Sequence, residues 1–380
     1  MIGKRKHASS PGRFMTGALI LFFAAAFARP AALQEQDSGF YILAAAVAGA
    51  FLLGGSKLMT RVLSQDRILF VVSLTFCALD ILIQAQADFS AGLSRAFICA
   101  GSLLLMVAGS FFVRAVRPTL AFGLFTAVPA LVLLAFPLLA DAGSLSLSLV
   151  SMVLLMIAFV TLLTARYQLF AILFALAGTA LLFAQGQPVP ALIWSASFLL
   201  LFWAYSGHLM LLLAGAGGVA ALVFLFSGLP VPPDTPSLFA SVNPGWVGLE
   251  LSDPILETAG SSEASVFTWI AFRYGWLPAG CILLLYPVII LRGSALARYS
   301  RSRVHGMLAM GAVLLTALTA MAALLSDFGV WAASGLSLPG LTTDTPALCA
   351  FLFLMGLSGG ISVRNQADLE EDAHIAMLAE

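Results

Sequence analysis

Long apolar runs, separated by short polar or charged breaks, dominate this sequence. About 20 apolar residues suffice for a helix to cross the hydrocarbon core of a bilayer. A segment in lipid must satisfy its backbone hydrogen bonds internally, so such runs favour α-helices. Only 9% of the 380 residues are charged and 61% are hydrophobic, which is too little charge for a water-soluble surface. The sequence therefore predicts an all-α, polytopic membrane helical bundle and excludes a chain of soluble globular domains.

The apolar runs predict about twelve transmembrane helices. They lie near residues 14–33, 40–56, 67–85, 95–113, 118–139, 145–164, 167–184, 190–206, 208–228, 265–291, 304–325 and 345–362. The first run follows four basic residues and could be a cleaved signal peptide. The second run, which comes soon after it, favours a first helix that is retained.

The basic residues predict the orientation, because cytoplasmic loops of membrane proteins are enriched in Lys and Arg. With the N-terminus inside and twelve crossings, fifteen of the eighteen basic residues fall on the cytoplasmic side. The exceptions are Arg29, Arg95 and Arg273. Both termini are thus predicted to be cytoplasmic. The one long loop, 229–264, falls outside, and its mixture of acidic and apolar residues such as Trp246 indicates an external cap folded on the bundle.

Composition and motifs narrow the function. The 18 basic and 18 acidic residues balance, so nothing points to a nucleic-acid partner. The sequence lacks a Gly-x-x-x-x-Gly-Lys phosphate loop, a His-Glu-x-x-His motif and a Gly-x-Ser-x-Gly motif, which argues against ATP-driven transport and soluble hydrolases. The four cysteines lie in apolar runs without Cys-x-x-Cys or His at ligand spacing, so no metal site is predicted.

Two ionisable residues fall inside predicted spans, Asp80 in the third and Arg273 in the tenth. Such residues are costly in a bilayer and commonly line a substrate or ion path. The alternative is that Asp80 only reaches the membrane interface and that the Arg273 side chain extends to the outer surface. Acidic residues of the long loop suit general-base chemistry or a diphosphate-bound metal, or else they are simply solvated.

Several motifs occur in an order that resembles one family. Gln-Pro-Val-Pro-Ala (187–191) precedes a span that ends at Gly207, and 265–280 places Gly275 after an aromatic and apolar helix. Asp327-Phe-Gly-Val is followed by Ser-Gly-Leu-Ser-Leu-Pro (334–339), and Gly356 falls in the last span. With the topology, these motifs resemble the SEDS family of shape, elongation, division and sporulation proteins, which includes FtsW, RodA and SpoVE.

The resemblance implies a domain organisation. Residues 67–363 correspond to the family's ten-helix transmembrane domain, with the external loop at 229–264. Residues 1–66 then form a basic N-terminus with two extra transmembrane helices, and 364–380 form an acidic cytoplasmic tail. The protein is expected in the bacterial inner membrane as a multi-pass protein.

The resemblance also implies an activity, the polymerisation of lipid-linked disaccharide into peptidoglycan with a single-span transpeptidase or another division or elongation partner. The family's presumed base, an aspartate, corresponds to Ala264, so Glu263 is the candidate catalytic residue. A divalent cation, Mg²⁺ or Mn²⁺, is expected only if the site is active. Because this sequence departs from the family where chemistry would occur, the site is expected to be divergent or inactive.

Candidate substrate-binding residues come from the embedded charges, the long loop and, through the family resemblance, the segment after residue 326: Asp80, Asp253, Glu257, Arg273, Asp327, Thr342, Thr343 and Asp344. Three alternative functions remain open at this point: a secondary transporter, a flippase for a lipid carrier, and a ligase for lipid-linked glycans. A transporter would be favoured if Asp80 and Arg273 faced one central cavity.

Overall fold

A computed structural model describes residues 17, 66–87, 89–140, 145–226, 239, 242–246, 248–249, 266–330 and 336–379. The described elements are all helices: α1 (Arg67–Ala87), α2 (Phe89–Ala115), α3 (Leu120–Ala140), α4 (Leu145–Thr164), α5 (Gln168–Ala184), α6 (Pro188–Ser206), α7 (Leu209–Phe226), α8 (Val266–Tyr274), α9 (Trp276–Leu283), α10 (Leu285–Tyr299), α11 (Arg303–Asp327) and α12 (Thr345–Ala379). This confirms the all-α prediction.

Each of the ten spans predicted from residue 67 onward contains at least one described helix. Eight stretches within them are long and apolar enough to cross a membrane, and two shorter apolar helical stretches, Gln168–Ala184 and Leu212–Ala221, accompany them. The two predicted spans before residue 66 lie outside the described residues, so the total of about twelve stays a prediction. The chain is a multi-pass membrane protein.

The predicted span 265–291 is wrong in its extent, because the helix is interrupted. Gly275 has a φ of +90°, so α8 ends at Tyr274 and a new helix begins at Trp276. This conformation is readily adopted only by glycine. The stretch able to cross the membrane is Trp276–Tyr299, which joins α9 and α10. A hydropathy pattern cannot detect this break, because apolar residues continue on both sides of the glycine.

Proline and glycine set other helix boundaries. Pro188 lies at the first turn of α6, where its missing N–H costs no intrahelical hydrogen bond. The same helix ends at Gly207, whose φ of +72° gives a left-handed cap, and its N–H donates to the Trp203 carbonyl at 2.7 Å. Two prolines inside α3 are tolerated, as is common in membrane helices.

The chain divides into two compact units, 1–99 and 100–380, and the boundary falls within α2. In the larger unit α4 and α11 are the central helices. Helix α4 packs on α3, α5, α6, α11 and α12, and α11 packs on α4, α6, α10 and α12. Trp194 is fully buried, and its Nε1 donates to the Ala175 carbonyl at 3.1 Å, which ties α6 to α5.

Helix α12 crosses the second half of α2 with the two backbones nearly in contact. A Cβ atom added at Gly356 or Gly360 would collide with the carbonyl oxygens of Met106 and Ser110, and one added at Gly109 would meet the Phe353 carbonyl at 2.8 Å. Gly356 and Gly360 have the small-xxx-small spacing that allows such close approach in membranes. Helix α12 then continues through the predicted acidic tail to Ala379.

Candidate functional site

A buried ion pair connects α1 and α2 in the smaller unit. The Arg95 Nε donates to Asp80 Oδ2 at 2.5 Å, and Asp80 is 0% exposed while Arg95 is 5% exposed. Asp80 is therefore buried between helices and is not exposed on the surface of the bundle. Its charge is compensated by a neighbouring helix, as is usual for ionisable residues in membranes.

Arg95 is the residue that sequence reasoning missed. It was placed at the outer end of a span beginning at 95, whereas α2 begins at Phe89 and Arg95 lies inside the helix. The sequence did contain a sign of this ion pair. Arg95 is one of the three basic residues that fall outside the predicted cytoplasmic loops. A basic residue outside these loops is a candidate for an internal ion pair.

Arg273 lies in α8, just before the break at Gly275 and outside the stretch able to cross the membrane. The predicted span that contains Arg273 is thus divided at Gly275, and Arg273 lies in its short first part. Its guanidinium carbon lies 5.5 Å from the centre of the Trp269 ring. Its Nε is buried, and no hydrogen-bond acceptor for it lies among the described residues.

Part of the long loop is folded against α8. The Leu249 N–H donates to the Phe272 carbonyl at 2.8 Å, and the Trp276 N–H donates to the Gly245 carbonyl at 2.9 Å. Gly248 has a φ of +84°, and a Cβ there would collide with the Arg273 carbonyl. The loop and α8 thus meet backbone against backbone.

An aromatic cluster extends this contact to the end of α11. Phe239 of the loop lies 5.0 Å from Phe272, 5.2 Å from Trp276 and 5.2 Å from Phe328, measured between ring centres. The described part of the loop is therefore a folded cap on the bundle, as its apolar content predicted. Because Phe328 follows Asp327 directly, the cluster brings the ends of α8 and α11 to the same place as the loop.

The segment before α12 returns to this end of the bundle. Tyr286 of α10 donates its hydroxyl hydrogen to the Pro339 carbonyl at 2.8 Å. Thr342 is buried, and its Oγ1 accepts the Asp344 N–H at 3.0 Å, whereas Thr343 and Asp344 are exposed. Thr342 therefore shapes the start of α12, and the next two residues are accessible to a ligand.

Two spaces lie near these elements. A cavity of about 40 Å³ lies between α4, α11, α12 and residues 337–342, and its polar side chains are Thr316, Thr319, Ser337 and Thr342. This volume holds a few water molecules but no sugar. A groove of about 490 Å³ lies between α6, α7 and α11 and is lined only by apolar side chains, including Leu199, Ala216 and Met321.

The predicted catalytic residue Glu263 and the loop residues Asp253 and Glu257 lie outside the described residues. Their role stays a prediction. Helix α8 begins at Val266, shortly after Glu263. In the described part of the chain no group of three or more His, Cys, Asp or Glu side chains could hold a metal ion.

No protein-family model matches the chain, and no curated protein matches it. Solved structures do. The rod shape determining protein RodA of Thermus thermophilus matches in a mutant form with a TM-score of 0.58 and 19% sequence identity, covering 79% of this chain and 98% of that chain. A second RodA structure from the same organism matches with a TM-score of 0.55 and 19% identity, covering 80% of this chain and 98% of that one.

Proposed function

Since the chain has the fold of RodA along nearly the whole RodA length, we propose that it is a SEDS-type protein of cell-wall synthesis in the bacterial inner membrane. In this proposal it binds a lipid-linked disaccharide, the precursor of peptidoglycan. The fold match is the observation that carries the proposal. It supports the family resemblance that the order of motifs indicated, and it favours this function over a transporter, a flippase or a glycan ligase.

The apolar groove between α6, α7 and α11 suits the lipid part of such a substrate. Its volume of about 490 Å³ is in the range of ligand sites, and its lining offers no polar group that lipid would leave unsatisfied. A polyprenyl chain needs this kind of surface. The groove lies within segments that the sequence places in the membrane.

The head group of the substrate would lie at the end of the bundle where the loop, α8 and the segment before α12 meet. Arg273, Thr343 and Asp344 are the described candidates for contacting the diphosphate or sugar. Glu263 precedes α8 in sequence, and we propose it as the base that would activate a sugar hydroxyl. A divalent cation would neutralise the diphosphate of an active complex.

Polymerisation of purified lipid-linked disaccharide by the purified protein tests catalysis. Glu263→Gln should lower the rate by about 10²–10⁴, the usual contribution of a general base. Glu250→Gln, the same change in the same loop, should leave the rate unchanged. An unchanged rate in the Glu263 variant would eliminate this residue as the base, and binding without polymerisation by the parent chain would identify a non-catalytic member.

Binding of the same substrate tests the groove. Ala216→Phe should fill the groove and weaken binding, whereas Ala214→Phe, also in α7 but outside the groove lining, should not. If the parent chain binds no lipid-linked disaccharide, the proposed function is wrong. Co-purification from bacterial membranes tests for the expected single-span transpeptidase, and a complex that forms equally with unrelated membrane proteins would contradict that partner.

A further inference from the structure

A pocket of about 480 Å³ opens between the end of α6, the last turns of α10 and the start of α11. It lies at the opposite end of α11 from the aromatic cluster. Ten residues line it: Ala204, Ser294, Ala297, Arg298, Ser300, Ser302, Arg303, Gly306, Met307 and Met310. The lining thus combines two arginines and three serines with an apolar wall, and it contains no acidic residue.

The sequence around this pocket is basic. The sequence between Glu263 and Asp327 contains five arginines and not one acidic residue. Neither Arg298 nor Arg303 forms an ion pair with a described residue. An exposed cluster of like charge attracts anions, and it does so most strongly where the surroundings are poorly solvated.

Contacts with Tyr205 fix the position of the Arg303 guanidinium group. Its guanidinium carbon lies 4.1 Å from the centre of the Tyr205 ring, and its Nη2 donates to the Tyr205 carbonyl at 2.8 Å. The Nε and Nη1 hydrogens have no acceptor among the described residues. A guanidinium that is stacked and anchored in this way loses little conformational entropy when it binds a phosphate.

The start of α11 adds backbone donors. Ser302 occupies the N-cap position, but its side chain makes no capping hydrogen bond, so the first N–H groups of this long helix lack a side-chain cap. Such N–H groups and the helix dipole favour an anion. Anion binding in the pocket would not depend on these N–H groups alone, since Arg298 and Arg303 line the same space.

The pocket lies at a level suited to a phospholipid head group. Trp203 and Tyr299, which flank it in sequence, are both exposed, and aromatic residues of this kind concentrate at the membrane interface. Beside these polar groups, Ala297, Met307 and Met310 give the pocket an apolar wall. A ligand with a phosphate at one end and acyl chains at the other fits both parts.

We propose that this pocket binds the phosphate of an anionic membrane phospholipid, with Arg298 and Arg303 as its ligands. Basic pockets between membrane helices are suited to such head groups. The inference needs only the membrane location of the chain, so it stands or falls separately from the proposed activity.

Native mass spectrometry of the purified full chain, with phosphatidylglycerol or phosphatidylcholine added, tests the proposal. The parent chain should retain phosphatidylglycerol selectively, and Arg298→Gln should weaken this retention about tenfold, as expected for the loss of a charge-assisted hydrogen bond. Arg301→Gln is the matched control, because it removes the same charge three residues further along the chain, from a position outside the pocket lining.

Arg303→Gln should weaken retention as well, but it also removes the contact with Tyr205, so its thermal midpoint without lipid is measured beside it. Three results would overturn the proposal: equal loss in the Arg301 variant, equal retention of both lipids by the parent chain, or full competition by inorganic phosphate at the lipid's concentration. The first result would indicate a diffuse surface charge, and the last a site for free phosphate.

Discussion

The buried pair of Asp80 and Arg95 makes a quantitative prediction about stability. The two side chains are joined at 2.5 Å, and both are almost completely excluded from solvent. Exposed ion pairs contribute about 0–1 kcal/mol, but removal of one partner of a buried pair leaves an uncompensated charge and costs about 3–5 kcal/mol. We therefore expect Asp80→Asn or Arg95→Met alone to lower the free energy of unfolding by about 3–5 kcal/mol.

The double variant distinguishes this reasoning from a general effect of substitution. With both charges removed, no uncompensated charge remains, so the Asp80→Asn/Arg95→Met protein should be more stable than either single variant. Unfolding of the purified protein in mixed micelles with increasing denaturing detergent measures all four members of the cycle. Arg114→Gln serves as the control, since Arg114 is exposed and contacts only a ring face among the described residues.

Two outcomes would refute the argument. Single variants that each cost less than about 1 kcal/mol would mean that the pair behaves as an exposed one. Additive costs in the double variant would mean that the two side chains are not coupled.

Three further predictions concern glycines and topology. Gly356→Ala should cost about 1–3 kcal/mol in the same unfolding assay, because its Cβ would meet the α2 backbone, whereas Gly217→Ala in α7 meets nothing within 4 Å and should not destabilise. Gly248→Ala should destabilise the protein more than Gly245→Ala, since both have positive φ but only a Cβ at Gly248 would meet the α8 backbone; equal effects would show that this collision is not the cause. Trp246→Cys, at an exposed position of the loop, should react with a membrane-impermeant maleimide added outside the cell, with the parent chain as background, and labelling only from the inside would invert the predicted orientation.

The helices could be predicted from the sequence because the bilayer leaves few alternatives. An apolar run long enough to span must form a helix, and from residue 67 onward each predicted span contains one. The exception is the span at 265–291, which is broken at Gly275. The break depends on the backbone angle of one residue, and the hydropathy pattern does not show it because the residues on both sides are apolar. The helical continuation of α12 was also missed, since the acidic composition suggested a solvated end although residues such as Ala, Leu and Glu favour helix.

The candidate site was less accessible to sequence reasoning. The embedded position of Asp80 was predicted from the apolar run around it. Its contact with Arg95 depends on how two helices pack, and sequence periodicity does not encode this packing. Thr342 was selected by resemblance, and the structure gives it a local role at the start of α12. The contact between the loop and α8 relies on Gly248 and Gly275, whose conformations follow from tertiary packing.

That interlocked contact has a mechanical consequence. Where two backbones touch without side chains between them, neither segment can slide or tilt unless the other follows, because there is no compressible layer to absorb the displacement. A displacement of Gly245 or Gly248 would therefore displace Gly275, where α8 ends and α9 begins. We therefore expect the described part of the loop and this helix junction to move together.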